Sequence, residues 1–346
     1  MALTRENLLA LAKATAKASI NPKANYSFNN ESLSYTALNE AFRKEVDELA
    51  KTHALYRQNK NLIFELIEVS LSETLPAKVL ETYGQFADVK TYAQGDKPTF
   101  KVRISDLSKQ RAKGFITRVG LAGRYETFKL DGFSFDIPTT AWGGAAQIAF
   151  EEFLDGRIQM SDVYDIVLEG LNEAVYKEIA KGLEAMVSDL PAVNVTTQTS
   201  FNEGEMDKLL TIADSYGKAT IYCTYEFAAT LVPADSAQWS DAMKQSKWEN
   251  GCLLNYKSHK VVVLPQSFTD STNKEKVIDP AKAYLIPTGS EKPVKVAFEG
   301  DAAVRDIDSQ EDWSKEIQTY QKFGVAVYNT NPGICVYVNK SLKKVL

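Results

Sequence analysis

Apolar positions along this chain fall into helical and strand spacings that change by region. Leu3 to Ala18 reads as a short amphipathic helix, with Thr4 as its N-cap and Leu8, Leu9 and Leu11 on the apolar side. It stops before Asn21-Pro22, and the polar tract from Asn21 to Leu33 holds too little apolar material for a core, which predicts an extended arm. Tyr35 to Lys60 returns to helical spacing through Leu38, Phe42, Val46 and Leu49, with Glu45, Asp47 and Glu48 opposite. Ile63 to Leu71 is short and apolar. Pro76 is expected to open a new element, because proline lacks the amide that a helix interior uses.

Period two takes over next. Phe100, Val102 and Ile104 alternate with Lys101, Arg103 and Ser105, the pattern of a strand with one dry face. A basic turn follows, carrying Lys109, Arg111 and Lys113 before Gly114, and the chain returns through Phe115, Ile116 and Arg118 to Arg124. Two such arms make a ribbon reaching about 30 Å at roughly 3.3 Å per residue. A lone two-stranded ribbon is marginal in water, so its expected support is another subunit. The plainer alternative is a hairpin lying on its own core with a solvated basic tip. Phe133, Phe135 and Ile137 continue the alternation up to Pro138, and Thr139 to Leu154 reads as a short helix. Ser161 is the expected N-cap of a long helix ending at Val187, with Tyr164, Val167, Leu168, Leu171, Val175, Ile179, Leu183 and Met186 forming one stripe.

The rest of the chain is mixed. Glu203 to Tyr216 predicts a helix, Ala219 to Thr224 a buried strand, Tyr225 to Leu231 a helix and Lys260 to Leu264 a strand, which together suit a small mixed sheet covered by helices. Strands follow at Ala283 to Ile286 and Val294 to Phe298. A closing hairpin of Gly324 to Tyr328 and Ile334 to Val338 is expected around Asn331-Pro332-Gly333.

Composition narrows the chemistry. The 346 residues are 44% hydrophobic, enough for two or three domains or subdomains. A net charge of −5 argues against a dedicated nucleic-acid binder, whose footprint is a strongly basic face. No run is long and apolar enough to cross a bilayer, and the Met1 end lacks the pattern of a secretory leader, so synthesis in the cytoplasm is expected. Cys223, Cys252 and Cys335 are scattered singly and read as buried thiols. His53 and His259 are the only histidines, both expected to be exposed, which leaves little material for a metal site or a catalytic triad. Glu151-Glu152 and Glu311-Asp312 read as solvated faces, and Gly143-Gly144 lacks the spacing of a phosphate loop. No catalytic, cofactor or metal site emerges, and the chain is read as a non-enzyme.

The order and lengths of these elements carry a resemblance. The ribbon from Lys97 to Arg124, the Phe133-to-Pro138 strand leading to the Ser161-to-Val187 helix, Ala219-Thr220-Ile221-Tyr222, His259-Lys260-Val261-Val262-Val263-Leu264-Pro265 and Tyr320-Gln321-Lys322-Phe323-Gly324-Val325-Ala326-Val327 together resemble the HK97-like major capsid proteins of tailed double-stranded DNA bacteriophages. The resemblance implies an α+β capsid fold with an N-terminal helical arm over residues 1–60. It implies a peripheral domain of residues 61–94, 125–194 and 280–346, holding the spine helix 161–187. Residues 95–124 would be the extended loop and 195–279 an inserted axial domain, which meets its copies around five-fold and six-fold axes. It further implies self-assembly as pentamers and hexamers into an icosahedral shell, with portal, scaffolding and decoration proteins as further partners, DNA enclosed without sequence-specific binding and no membrane.

Under that reading Phe100, Val102, Ile104, Lys109, Arg111, Lys113, Phe115, Ile116, Arg118 and Arg124 are the expected subunit-interface residues, apolar ones for area and basic ones for register. Some relatives crosslink a lysine of this loop to a neighbour's asparagine. Lys109 and Lys113 hold comparable positions, but the sequence identifies neither the asparagine nor the carboxylate needed. Two other readings stand beside this one: an encapsulin-type nanocompartment shell, and an α/β enzyme lacking recognisable catalytic residues.

Overall fold

A computed structural model describes residues 4–20, 25–28, 31–102, 118, 133–148, 160–232, 240–287, 292–308, 315–328 and 332–344. The chain forms two compact units. The first comprises Met1–Phe100, Asp136–Ile179 and Val294–Ala326, and the second Lys101–Phe135, Ala180–Pro293 and Val327–Leu346.

Three helices open the first unit: α1 (Arg5–Ile20), α2 (Tyr35–Ala50) and α3 (His53–Tyr83), with a hairpin of β1 (Asn25–Phe28) and β2 (Glu31–Ser34) between the first two. The tract expected to be a plain extended arm thus pairs with itself. Ser34 caps α2 by accepting from the Ala37 N–H, and Thr52 caps α3 by accepting from the Leu55 N–H. Leu38, Phe42, Val46 and Ala50 form the buried face of α2. Pro76 lies inside α3 rather than at its start. The stripe Ile63, Ile67, Leu71, Leu75, Val79 and Tyr83 is buried on both sides of the proline, and burial on that scale outweighs the roughly 3 kcal/mol that an interior proline costs.

The sheet of this unit has the order β3 (Ala87–Tyr92), β12 (Val294–Asp308), β13 (Lys315–Val327), β6 (Thr140–Ile148). β3 runs parallel to β12 and ends opposite Glu299. Beyond that point α3 takes over as partner: the Ala302 N–H donates to Ser72 Oγ at 2.9 Å and the Val304 N–H to Glu68 Oε1 at 2.8 Å. β6 is a correction to the sequence reading, which placed a helix over Thr139 to Leu154. Alanine and glutamine favour a helix there, but Gly143-Gly144 does not. The pairing settles it, because Trp142 stacks on Phe323 of β13 at 5.3 Å and Gly143 lies against the Thr319 carbonyl.

The long helix α4 (Met160–Ser188) follows the predicted span closely and buries Tyr164, Leu168, Leu171, Val175, Ile179, Leu183 and Met186. Its start differs from expectation. Ser161 sits inside the first turn, buried, and its backbone N–H and hydroxyl both donate to the Asp47 carboxylate of α2. Arg43, one turn earlier on α2, pairs with Asp165 and, at 3.7 Å, with Asp162. Tyr164 Oη lies 2.8 Å from Ser70 Oγ, and Tyr176 stacks on Tyr83 at 5.7 Å, which ties α4 to α3.

The second unit is built on a six-stranded mixed sheet. Its order is β7 (Val195–Gln198), β14 (Cys335–Asn339), β11 (Lys282–Pro287), β8 (Ala219–Thr224), β10 (His259–Leu264), β9 (Asn255–Tyr256). β8 is buried at every position, as its uncharged, mostly apolar sequence suits in a strand covered on both faces. Helix α5 (Glu203–Asp214), capped by Asn202, packs Met206, Leu209, Leu210 and Ala213 onto Ile221, Cys223, Leu285, Cys335 and Tyr337. Short α6 (Tyr225–Ala228) adds Phe227 and Ala228 to this core, and α7 (Asp241–Asn250) ends at Gly251, whose φ of 71° is the left-handed close of a helix.

Two expectations fail in this unit. The closing hairpin of Gly324 to Tyr328 with Ile334 to Val338 does not form: β13 pairs with β12 and β6 in one sheet, and β14 with β11 and β7 in the other. Residues 280–346 are consequently divided between the two units, and β11 and β14 complete the sheet that the sequence reading confined to 195–279. His259 is 7% exposed rather than solvated, its Nδ1 3.1 Å from the Ala219 carbonyl and its Nε2 3.5 Å from the Asp214 carboxylate. Cys223, Cys252 and Cys335 are buried free thiols, as expected, and burial pushes Cys335 up to about 12 and the other two upward.

Candidate assembly surfaces

The ribbon predicted over residues 95–124 lies largely outside the described residues; the two strands that flank residues 103–132, the first inside the predicted range and the second beyond it, are the described roots. β4 (Thr99–Val102) pairs with β5 (Phe133–Asp136), so residues 103–132 leave and return on adjacent strands. Side chains of the first unit clamp the two roots together. Thr99 Oγ1 donates to Asp136 Oδ1 at 2.7 Å, Lys97 Nζ reaches the same carboxylate at 2.5 Å, and the Ile137 N–H donates to the Pro98 carbonyl at 2.9 Å. The lysine and threonine donors hold the Asp136 carboxyl below its ordinary range.

Glu299 of β12 is the second clamp. It accepts from the Thr139 hydroxyl after β5 and from the Gly95 N–H before β4, and Lys322 of β13 approaches at 3.5 Å. These donors, Thr139 foremost, lower its pKa as well. Gly300 next to it adopts φ 68° against Gln94, a conformation that favours glycine. Neither Glu299 nor Thr139 stood out in the sequence. The one available signal was a carboxylate followed by glycine within a long apolar strand.

Of the ten residues expected at subunit interfaces, Phe100 is buried within its own unit. It is 1% exposed, packed edge-on against Tyr92 with Lys90 Nζ 4.5 Å and Lys295 Nζ 5.7 Å from its ring centroid, so its own unit uses the surface it was expected to offer a neighbour. Lys295 is itself buried and reaches Asp88 at 3.2 Å. Val102 lies in β4, and Arg118 is exposed. Ile104, Lys109, Arg111, Lys113, Phe115, Ile116 and Arg124 lie outside the described residues, as do Glu151-Glu152 and Glu311-Asp312.

Two other surfaces are exposed among the described residues. Helix α7 buries none of its residues and carries Trp248 at 91% exposure. β6 ends its sheet, with Ala141, Gly143, Gly144 and Ala145 exposed. Among the described residues no cluster of histidine, cysteine and carboxylates could hold a metal ion, and no helix is long and apolar enough to cross a membrane.

Solved structures similar to this chain include phage heads and related particles. The head of Helicobacter pylori bacteriophage KHP40 matches at TM-score 0.51 and 13% identity, covering 75% of this chain and 91% of that one. The capsid of a native GTA particle matches at TM-score 0.51 and 10% identity, covering 75% and 89%. The virus-like particle from Pyrococcus furiosus aligns at TM-score 0.41 and 13% identity, covering 77% and 98%. No curated protein matches in sequence. The long helix α4 and the two sheets are those of an HK97-like capsid subunit. Residues 12–335 match the family described as "SPbeta prophage-derived putative capsid protein YonB", and the chain belongs to that family of phage structural proteins.

Proposed function

We propose that this chain assembles as pentamers and hexamers into an icosahedral shell around a double-stranded DNA genome, with residues 103–132 of each subunit lying on a neighbour. Membership of the capsid family over residues 12–335 is the observation that supports this most directly. The charge fits: a net −5 suits a wall that encloses DNA without gripping it. Lys109, Arg111, Lys113, Arg118 and Arg124 meet carboxylates of the adjacent subunit and set register, each exposed pair contributing about 0 to 1 kcal/mol. Val102, Ile104, Phe115 and Ile116 supply apolar area, while Phe100 anchors the root of the loop within its own subunit. The role is structural rather than enzymatic. Subunits are made in the host cytoplasm and end in the virion, where portal, scaffolding and decoration proteins are their further partners.

Size-exclusion chromatography and negative-stain microscopy of the purified chain test the reading. Closed shells, or rings of five or six subunits, are expected; a persistent monomer or dimer under assembly conditions overturns it.

A further inference from the structure

We propose that Glu299 is a positioning residue for assembly: it ties the two chain segments that flank residues 103–132 to one point of the first unit's sheet, which sets where that segment departs and returns. This rests on the capsid reading, which gives residues 103–132 a neighbour to contact.

The flanks need such a tie because their own pairing is short. β4 and β5 are four residues each and form a separate two-stranded sheet, an arrangement that is marginal in water without further support. β3 ends its pairing with β12 at Tyr92, opposite Glu299. The chain then turns through residues 93–96, where the Asp96 N–H donates to the Ala93 carbonyl at 3.1 Å. Gly95 in this turn has a φ of 86°, a value that favours glycine, and its N–H donates to Glu299 Oε1 at 3.2 Å. Thr139, shortly after β5, donates its hydroxyl to Glu299 Oε2. One carboxylate therefore joins positions 95 and 139, and all three residues belong to the first unit.

A carboxylate is a demanding choice for this position. Glu299 is 9% exposed, and Val294, Val296, Ala297 and Phe298 before it are buried. An apolar side chain would serve the sheet without the desolvation that a buried carboxylate incurs. What glutamate adds is direction, because its two oxygens accept from donors over a narrow range of angles. Lys322 of β13, at 3.5 Å, offsets the charge from the same sheet. The clamp of Thr99, Lys97 and Asp136 joins flank to flank, whereas Glu299 joins both flanks to the sheet. Buried in its own unit, Glu299 acts on a neighbour through the segment it ties down rather than by contact.

Four variants and one control separate position from bulk stability. Glu299→Ala removes both hydrogen bonds, whereas Glu299→Gln keeps an oxygen for the Gly95 N–H and turns its amide to the Thr139 oxygen. Thr139→Val keeps the shape of threonine without the hydroxyl, and Thr139→Ser keeps the hydroxyl. Asp47→Ala, which removes the cap of α4 in the same unit, controls for stability alone. Each protein is assembled at the same interval below its own thermal midpoint, and particles are counted by electron microscopy. Yield is expected to fall at least about tenfold for Glu299→Ala and Thr139→Val, and to stay within about twofold of wild type for Glu299→Gln, Thr139→Ser and Asp47→Ala. In the free subunit, the Gly95 amide is expected to exchange at least about tenfold faster in Glu299→Ala than in wild type. Unchanged Gly95 exchange, or wild-type yield from Glu299→Ala, overturns the positioning role and leaves the capsid reading intact. Equal loss of yield in Asp47→Ala and Glu299→Ala also overturns it, because stability alone then accounts for the loss. A wild-type chain that forms no particle overturns both.

Discussion

Asp47 of α2 accepts both the backbone N–H and the hydroxyl of Ser161, at 3.4 and 3.2 Å, and so caps the start of α4 from another helix. Desolvation raises its pKa against the lowering effect of these two hydrogen bonds. Asp47→Ala leaves the Ser161 hydroxyl buried without this partner, and by analogy with N-cap substitutions the expected loss is about 1 kcal/mol. Asp47→Asn, which keeps an acceptor, is expected to lose less. Urea unfolding of the free subunits measures both, and equal stability of Asp47→Ala and wild type would show the cap to be idle.

The paired strands that flank residues 103–132 carry a pH dependence. Glu299 and Asp136 hold their protons less tightly in the folded chain than in the unfolded one. Their contribution is therefore complete above the ordinary carboxylate range and is lost as pH falls through the lowered folded values. Between about pH 6 and about pH 3, wild type is expected to lose more thermal stability than Glu299→Gln. Parallel curves for the two proteins would rule out Glu299 as a source.

Gly143 and Gly144 give opposite expectations one residue apart. Gly143→Ala forces a Cβ against the Thr319 carbonyl and is expected to destabilise by about 1–3 kcal/mol. Gly144→Ala enters open space and is expected to be neutral, or to stabilise by up to about 1 kcal/mol. Thermal unfolding of both variants decides, and similar losses at the two sites would contradict the geometry.

Deleting residues 108–114 removes the basic tip of the predicted ribbon. A soluble, folded subunit with far fewer closed shells is the expected product, scored by circular dichroism and electron microscopy. Full shell yield would remove the tip from any role in subunit contact.

How much was readable from residues alone depended on the range of the deciding contact. Local patterns carried α4, α5, β8 and β10, because a continuous apolar stripe or run states both the element and its burial. Pro76, β6 and the separation of β13 from β14 were misread because partners far away in sequence decide them: α1 and β12 against the helix that holds Pro76, Phe323 and Thr319 beside β6, and β11 and β7 beside β14. Phe100 alternates like an interface strand residue, and nothing in that alternation announces Lys90 and Lys295 above its ring. Glu299 was invisible for the same reason, since its partners Gly95 and Thr139 lie 204 and 160 residues earlier in the chain.

The position of β14 also sets a timetable. In the second sheet it lies between β7 and β11, an interior place occupied by the strand that comes last in chain order. A nascent chain that has not reached Asn339 has β7 and β11 with a gap where β14 belongs. A chain interrupted before Asn339 therefore lacks a finished second unit, because β7 and β11 are left without the strand that joins them.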